Sequence, residues 1–320
     1  PIPKSEITIA EMLKEAGYAT AAIGKWGIGY PGSEGDPNYQ GFDLFYGYNC
    51  QRQAHSYYPP HLWRNDKKEI LEENLNGEKG LYSHDLLVGE ALDFIERNRD
   101  TPFFLYLPFT IPHTKFEVPE LGIYSDKDWT ENQKTQAAMI SRMDSDVGRI
   151  FDLLKELNID ESTLVFFTSD NGAHGQGGTL QRFQASGELR GKKGTMYEGG
   201  LRVPMLVRWP GKIAQGSESD LVCAFWDMMP TFGELVGLDV PAESDGISFL
   251  PTLLEAGTQE NREYLYWELG NKQAVRFGPW KAVRSNLKKD NISVELYNLD
   301  ADSGEEFNLA DQHPQEVKKA

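Results

Sequence analysis

The sequence predicts an α/β fold: a mostly parallel, mixed central sheet flanked by helices, followed by a small C-terminal subdomain on an antiparallel sheet. Three observations carry this. Strand-like apolar runs alternate with amphipathic helical stretches up to about residue 255, the pattern of a sheet covered on both faces. The run Leu164, Val165, Phe166, Phe167, Thr168 is apolar or β-branched throughout, which reads as a strand buried on both sides at the centre of a parallel sheet. Beyond Gly257, Thr258 and Gln259 the runs shorten and are separated by turns such as Gly278-Pro279, as in antiparallel hairpins. The change predicts a main domain over 1–258 and a subdomain over 259–320.

The elements follow in order. Thr8 and Glu11 form a capping box for a helix carrying Ile9, Met12 and Leu13 on one stripe and stopped by Gly17. A strand over 18–23 then delivers Gly24-Lys25 to its carboxyl end. Residues 26–82 are rich in Gly, Pro, Tyr and Asn with little periodicity, which predicts a long loop serving as a functional surface. Ser83 is expected to cap a helix over 83–96 with Leu86, Leu87, Ala91 and Phe94 inward. A strand over 103–107 precedes the longest helix, 131–157, with Ile140, Met143, Val147, Ile150, Phe151 and Leu154 on its apolar face. After the 164–168 strand comes a Gly-rich loop, then a strand over 205–208 ended by Trp209-Pro210-Gly211. Residues 225–238 read as a helix kinked or broken at Pro230. Strands over 263–267, 273–277, 280–284 and 294–297 build the C-terminal sheet, and a helix begins at Pro314.

Composition narrows the function. At 39% hydrophobic and 12% aromatic the 320 residues can fill a core, which excludes a disordered chain. The formal charge of −17, from 32 basic against 49 acidic residues, argues against a nucleic-acid partner. A site for an anion would have to bring its own cations. Two cysteines make no disulfide framework and are expected to be small buried hydrophobes. No apolar run is long enough to span a bilayer.

Asp170-Asn171-Gly172 ends the 164–168 run. By itself it is an ordinary Asn-Gly turn. Ligands of open α/β sheets gather beyond the carboxyl ends of strands, however, and these two side chains offer hard oxygen donors suited to Ca²⁺ or Mg²⁺. Combined with Leu189-Arg190-Gly191-Lys192-Lys193-Gly194-Thr195 and Tyr197-Glu198-Gly199-Gly200-Leu201-Arg202-Val203-Pro204, the block resembles the type I sulfatases of the alkaline-phosphatase-like superfamily. The resemblance covers nearly the whole chain. It includes Thr8 to Tyr18 leading into Ala22-Ile23-Gly24-Lys25-Trp26, Gly41-Phe42-Asp43 with Phe45-Tyr46-Gly47, and Pro112-His113. Near the end Leu296-Tyr297-Asn298-Leu299-Asp300 and Glu305 to Ala310 continue it.

The resemblance implies hydrolysis of a sulfate ester on a sulfated small molecule or polysaccharide, in the periplasm or outside the cell. Lys25 and Lys193 would contact the sulfate, and His113 would protonate the leaving alcohol. Asp170 and Asn171 would hold a divalent cation, Ca²⁺ ahead of Mg²⁺, and all five are expected at one mouth. Lys193 rather than Lys192 aligns with the family's lysine. The family nucleophile is a formylglycine made by a formylglycine-generating enzyme from Cys/Ser-x-Pro/Ala-x-Arg. Neither Cys50 (before Gln51-Arg52-Gln53) nor Cys223 (before Ala224-Phe225-Trp226) fits that motif. The chain starts at Pro1 and stops in an unfinished helix, so it is expected to be a fragment truncated at both ends and inactive as written; a natural protein without its catalytic front is the alternative. Many family members carry a histidine two residues after the first lysine, where this chain has Gly27. His55 is the candidate replacement, His174 and Arg52 are candidate substrate contacts, and Tyr57, Tyr58 and Trp63 could face a sugar. Two other functions remain open: a phosphatase or phosphodiesterase of the same superfamily, and a non-catalytic anion-binding module.

Overall fold

The computed structural model describes residues 1–288 and 293–320. In chain order its elements are α1 (Ile9–Glu15), β1 (Ala19–Lys25), β2 (Leu44–Tyr48), β3 (His61–Arg64), β4 (Lys67–Ile70), α2 (Ser83–Arg97), β5 (Phe103–Tyr106) and α3 (Glu131–Glu156). Then follow β6 (Val165–Thr168), α4 (Thr179–Phe183), α5 (Glu198–Leu201), β7 (Met205–Arg208), α6 (Met228–Val236) and α7 (Leu250–Leu253). The chain ends with β8 (Leu265–Leu269), β9 (Lys272–Phe277), β10 (Trp280–Ser285), β11 (Val294–Asn298) and α8 (Pro314–Lys319). These group into two compact units: 1–163 with 209–260, and 164–208 with 261–320.

The first unit is built on a five-stranded sheet in the order β4-β3-β2-β1-β5. β1 runs parallel to both β2 and β5, while β3 and β4 add an antiparallel edge. Successive residues of β1 point to opposite faces, and both faces are covered. Ala21 and Ile23 pack with Tyr46, Tyr48, Leu87, Ala91 and Phe94 under α2, whereas Ala22 packs with Ala10, Phe42 and Phe45 under α1. Thr8 accepts from the Glu11 backbone N–H and Glu11 returns the bond to the Thr8 N–H, so the expected capping box of α1 forms. α6 lies against α1, and the small Gly233 of α6 makes room for Val240, whose Cγ1 would be 2.6 Å from an added Cβ. On the α2 side, Arg142 of α3 grips Asp85 with two bonds of 2.7 and 2.6 Å, and the buried His84 meets Asp146 at 3.1 Å.

Several expectations are corrected. The 26–82 segment is not one loop, since it contains β2 and the β3–β4 hairpin, turned at Asn65 with φ 53°. Ser83 is the first helical residue rather than the cap, which falls at Tyr82 without a side-chain bond. Ile140 is 42% exposed, while Met139 and Asp146 face inward; Ile150 and Leu154 of the same expected stripe are buried. Pro230 does not kink its helix. It lies in the first turn of α6, where a missing N–H costs nothing. Cys50 is exposed and Cys223 half-buried.

The second unit holds two sheets. β6 pairs antiparallel with β7 in a two-stranded sheet, so among the described residues it is not the centre of a parallel sheet. Its apolar side chains are not all covered, with Phe167 at 37% exposure and Leu206 of β7 at 65%. The other sheet is the expected antiparallel meander, in the order β11-β10-β9-β8. It packs Ala274, Val283, Tyr297 and Leu299 against Met196, Tyr197 and Leu201. Beneath them lies a buried ion triple: Lys281 Nζ is 2.8 Å from Glu198 Oε1 and 2.9 Å from Glu305 Oε1. The Glu198 N–H donates to the second Glu305 oxygen at 2.6 Å.

Burial pushes the Glu305 carboxyl above the usual carboxylate range; Lys281 opposes this and the Glu198 carboxylate adds to it. A raised carboxyl pKa gives stability that is fully present below the unfolded value of 4.5 and is lost as pH rises through the folded value. Glu305→Gln cannot ionise. The difference in melting temperature, variant minus wild type, should therefore shift in the variant's favour between about pH 4 and about pH 8. A pH-independent difference would show that Glu305 titrates normally.

Candidate active site

In the first unit, the three parallel strands form one ledge at their carboxyl ends. Lys25 closes β1, and its backbone N–H donates to Pro108 O just beyond β5, at 2.9 Å. The next N–H, from Trp26, donates to Tyr48 O at the end of β2, also at 2.9 Å. Gly24 makes this approach possible: at φ 141° an added Cβ would lie 2.3 Å from Pro108 O. Two residues after Lys25, Gly27 has φ 83°, and a Cβ there would meet Gln51 Cγ at 2.5 Å. A histidine at position 27 would need a left-handed backbone and a displaced Gln51, so the departure from the family pattern is built into the local geometry.

The segment leaving β2 carries the replacement candidate. Gln53–His55 is a single 3₁₀ turn, with exposed Arg52 at its amino end. The imidazole of His55 stacks on that of His113, with centroids 4.7 Å apart and planes 4° from parallel. The structure thus brings together two histidines 58 positions apart by subtraction of their residue numbers. His113 Nδ1 lies 2.6 Å from Thr114 O. A carbonyl only accepts, so Nδ1 carries the hydrogen, and Nε2 is the atom at which protonation changes. Tyr57 supports the loop from below, its hydroxyl lying 2.9 Å from Thr110 O and 2.7 Å from His113 O. Burial pushes this phenol well above its ordinary range, so it stays a donor. Tyr57 is 0% exposed and cannot face a sugar, which corrects that expectation. Tyr58 packs on Tyr82, and Trp63 packs into the core near Phe42. The sequence reading missed Asn49, one residue past β2. It is 7% exposed, and neither its amide nitrogen nor its oxygen is hydrogen-bonded among the described residues. Such an amide at the ledge is a candidate ligand contact; its only signal in the sequence is its place at a strand end.

In the second unit, Asp170 and Asn171 follow β6, the first exposed and the second half-buried. Two backbone bonds tie their loop to the Arg190–Leu201 segment. Gly172 N–H donates to Gly200 O at 3.1 Å, and Lys193 N–H donates to Ala173 O at 2.8 Å. A Cβ at Gly172 would stand 2.0 Å from Gly199 O, so this contact requires glycine. The backbone of the exposed Lys193 is therefore tied to the loop that carries Asp170 and Asn171. Lys192 turns its N–H to Thr195 Oγ1 and its ammonium toward Gly175. His174 is half-buried, its Nδ1 accepting from the Gln176 N–H at 3.0 Å. Arg190 is structural: it lies 3.9 Å over the Tyr197 ring and donates to Tyr297 Oη and Glu305 O, each at 2.9 Å.

Asp170 and Asn171 fit a hard cation in kind but supply only part of a shell, because Ca²⁺ takes about six to eight oxygens. No group of three or more His, Cys, Asp or Glu gathers as a metal cluster among the described residues.

The ledge gives a direct test. Gly24→Ala should cost about 2–4 kcal/mol in urea unfolding, from the strained φ and the clash with Pro108. Gly89→Ala, in α2 with open space around it, should instead stabilise by up to about 1 kcal/mol. Equal effects would mean that the ledge relaxes freely.

The sulfatase family model matches residues 1–238, and the model for the C-terminal part of N-sulphoglucosamine sulphohydrolase matches residues 191–320. An arylsulfatase of Hemicentrotus pulcherrimus is 34% identical over 307 residues, covering 88% of this chain and 52% of the relative. The N-acetylgalactosamine-6-sulfatase of Homo sapiens is 34% identical over 301 residues, with 88% and 54% covered. Arylsulfatase A of Homo sapiens is 30% identical over 359 residues, with 96% and 68% covered. The chain thus spans about half the length of the first two relatives. Among solved structures, Ps i-CgsB in complex with k-i-k-neocarrahexaose superposes with a TM-score of 0.85 at 27% identity, over 99% of this chain and 74% of that one. With residues 1–238 matched by the family model, well over half its length, the chain belongs to the sulfatase family.

Proposed function

We propose that the full-length protein hydrolyses a sulfate ester on a carbohydrate. The observation that carries this reading, beyond family membership, is the pair of backbone bonds, Lys193 to Ala173 and Gly172 to Gly200, that joins the loop of Lys193 to the loop of Asp170 and Asn171. A cation and two oxygen donors on joined loops suit an anionic group held against a divalent metal. Relatives point to the substrate class: one is named for N-acetylgalactosamine-6-sulfate chemistry, and a structure sharing the fold (TM-score 0.75) is bound to its substrate D-glucosamine-2-N,6-O-disulfate. We place the reaction in the periplasm or outside the cell, as the family resemblance implies.

Each residue has a role. Lys25 and Lys193 offset charge on the sulfuryl oxygens. His113, its Nδ1 hydrogen anchored on Thr114 O, gives the proton on Nε2 to the departing alcohol oxygen. His55, stacked on His113, confines that imidazole to one orientation and takes the place left by Gly27. Arg52 and His174 contact the sugar. Asp170 and Asn171 contribute oxygens to Ca²⁺, which when bound would polarise the sulfate. The nucleophile is a formylglycine installed by a formylglycine-generating enzyme on a Cys/Ser-x-Pro/Ala-x-Arg motif, which these 320 residues do not contain.

Two measurements test the reading. These 320 residues alone should release no sulfate from an aryl sulfate above background, since losing a nucleophile costs several powers of ten. The full-length protein, co-expressed with a formylglycine-generating enzyme, should be active and prefer aryl sulfate over aryl phosphate. In that protein His55→Ala should lower kcat at least about tenfold. Sulfatase activity from the 320 residues alone would overturn the assigned chemistry, and unchanged kinetics of His55→Ala would remove His55 from it.

A further inference from the structure

A lysine with no exposed surface is an unusual residue for the middle strand of a small sheet. Lys281 of β10 is such a residue, and it faces two carboxylates that are themselves at most 4% exposed on their side chains. Buried ions are costly, and apolar side chains of similar volume would fill the same space without that cost. What the charges hold is therefore informative. Glu198 opens α5, immediately before Gly199 and Gly200, and it lies five residues after Lys193. Gly200 O accepts from Gly172, next to Asp170 and Asn171, while the Gly199 N–H donates to Arg190 O at 2.7 Å and closes the neck of the Lys193 loop.

Further side-chain fasteners of this loop come from the same C-terminal sheet and the tail after it. Lys272 of β9 donates to Gly194 O at 2.7 Å, one residue from Lys193. Arg190 is seated on Tyr297, and Tyr297 and Tyr197 both donate to Glu295, at 2.6 and 2.8 Å. Glu305 closes the circuit by accepting the Glu198 N–H and, through its carbonyl, the Arg190 guanidinium.

We propose that Lys281, with Glu198 and Glu305, is a positioning device that sets Lys193 and the Asp170–Asn171 loop from the C-terminal sheet. This rests on the reading of Lys193 as a sulfate contact. The three groups close a ring that fixes Glu198 at two points, its carboxylate on Lys281 and its backbone N–H on Glu305, while Lys281 also meets Glu305. A greasy contact at the same place would permit sliding; the ion triple does not. Displacement of a substrate-holding group by about 1 Å can cost on the order of a hundredfold in rate, which makes such a device worth its desolvation.

The test uses the full-length, formylglycine-bearing protein, an aryl sulfate as substrate and inorganic sulfate as competitive inhibitor, well below each variant's melting temperature. Lys281→Met should lower kcat/KM at least about tenfold and weaken inhibition by sulfate. Adding Glu305→Gln, which removes the excess buried negative charge, should restore part of both. A lowered melting temperature with kcat, KM and sulfate inhibition unchanged would overturn the proposal, as would the absence of any rescue. If Lys281→Met does not fold, Glu305→Gln alone carries the same comparison, with a smaller loss expected. Lys193→Ala is the control. If it leaves sulfate inhibition intact, the reading of Lys193 has failed; if it abolishes inhibition while the triple variants do not affect it, only the positioning role has failed.

Discussion

The first unit depends on β1 being buried on both faces. Its three innermost side chains alternate between two helical layers, Ala21 and Ile23 toward α2 and Ala22 toward α1. A strand buried in this way cannot slip by one residue, since every side chain would change faces. Register is thereby fixed against both parallel neighbours, and the end of the strand is fixed as well. Lys25 emerges where burial stops, with its backbone shared between Pro108 and the end of β2. A flexible, strongly hydrated side chain thus acquires a defined origin from an apolar constraint several residues away.

The second unit solves a related problem with charge. The segment after Lys193 seats Met196, Tyr197 and Leu201 on the C-terminal sheet, and the ion triple adds a directional hold to that apolar contact. Backbone bonds between Gly172 and Gly200, and between Lys193 and Ala173, join two loops that would otherwise be independent. Side chains from the C-terminal strands and tail then hold the joined pair through hydrogen bonds, ion pairs and the edge-on contact of Tyr297 with Tyr197. Glycine recurs at these contacts for a steric reason, because carbonyl oxygens stand where a Cβ would be.

The acidic surface does not contradict an anionic substrate. A net charge of −17 is spread over a large surface and screened within about 8–10 Å at ordinary ionic strength. A cation acting at contact distance is governed by local geometry rather than by the mean field. Surface charge in such a protein governs solubility and encounter, and leaves recognition to a few positioned groups.

The sequence by itself determined the capping box at Thr8, the C-terminal meander and the short motifs that mark the family. Each of these is a local property: a turn residue, a period of two, a short motif. Only the tertiary structure decided the pairing of β6 with β7, the outward placement of Ile140 on α3, and the burial of Tyr57 beneath the His113 loop. The stacking of His55 on His113 and the ion triple at Lys281 belong to the same group. Nothing in the residues near Lys281 announces that it meets Glu198 and Glu305, because the three are joined by folding across more than a hundred positions. Periodicity reports which side chains are apolar, but partner choice is set by which surfaces remain to be covered once the strands have paired, and that is a property of the assembled chain.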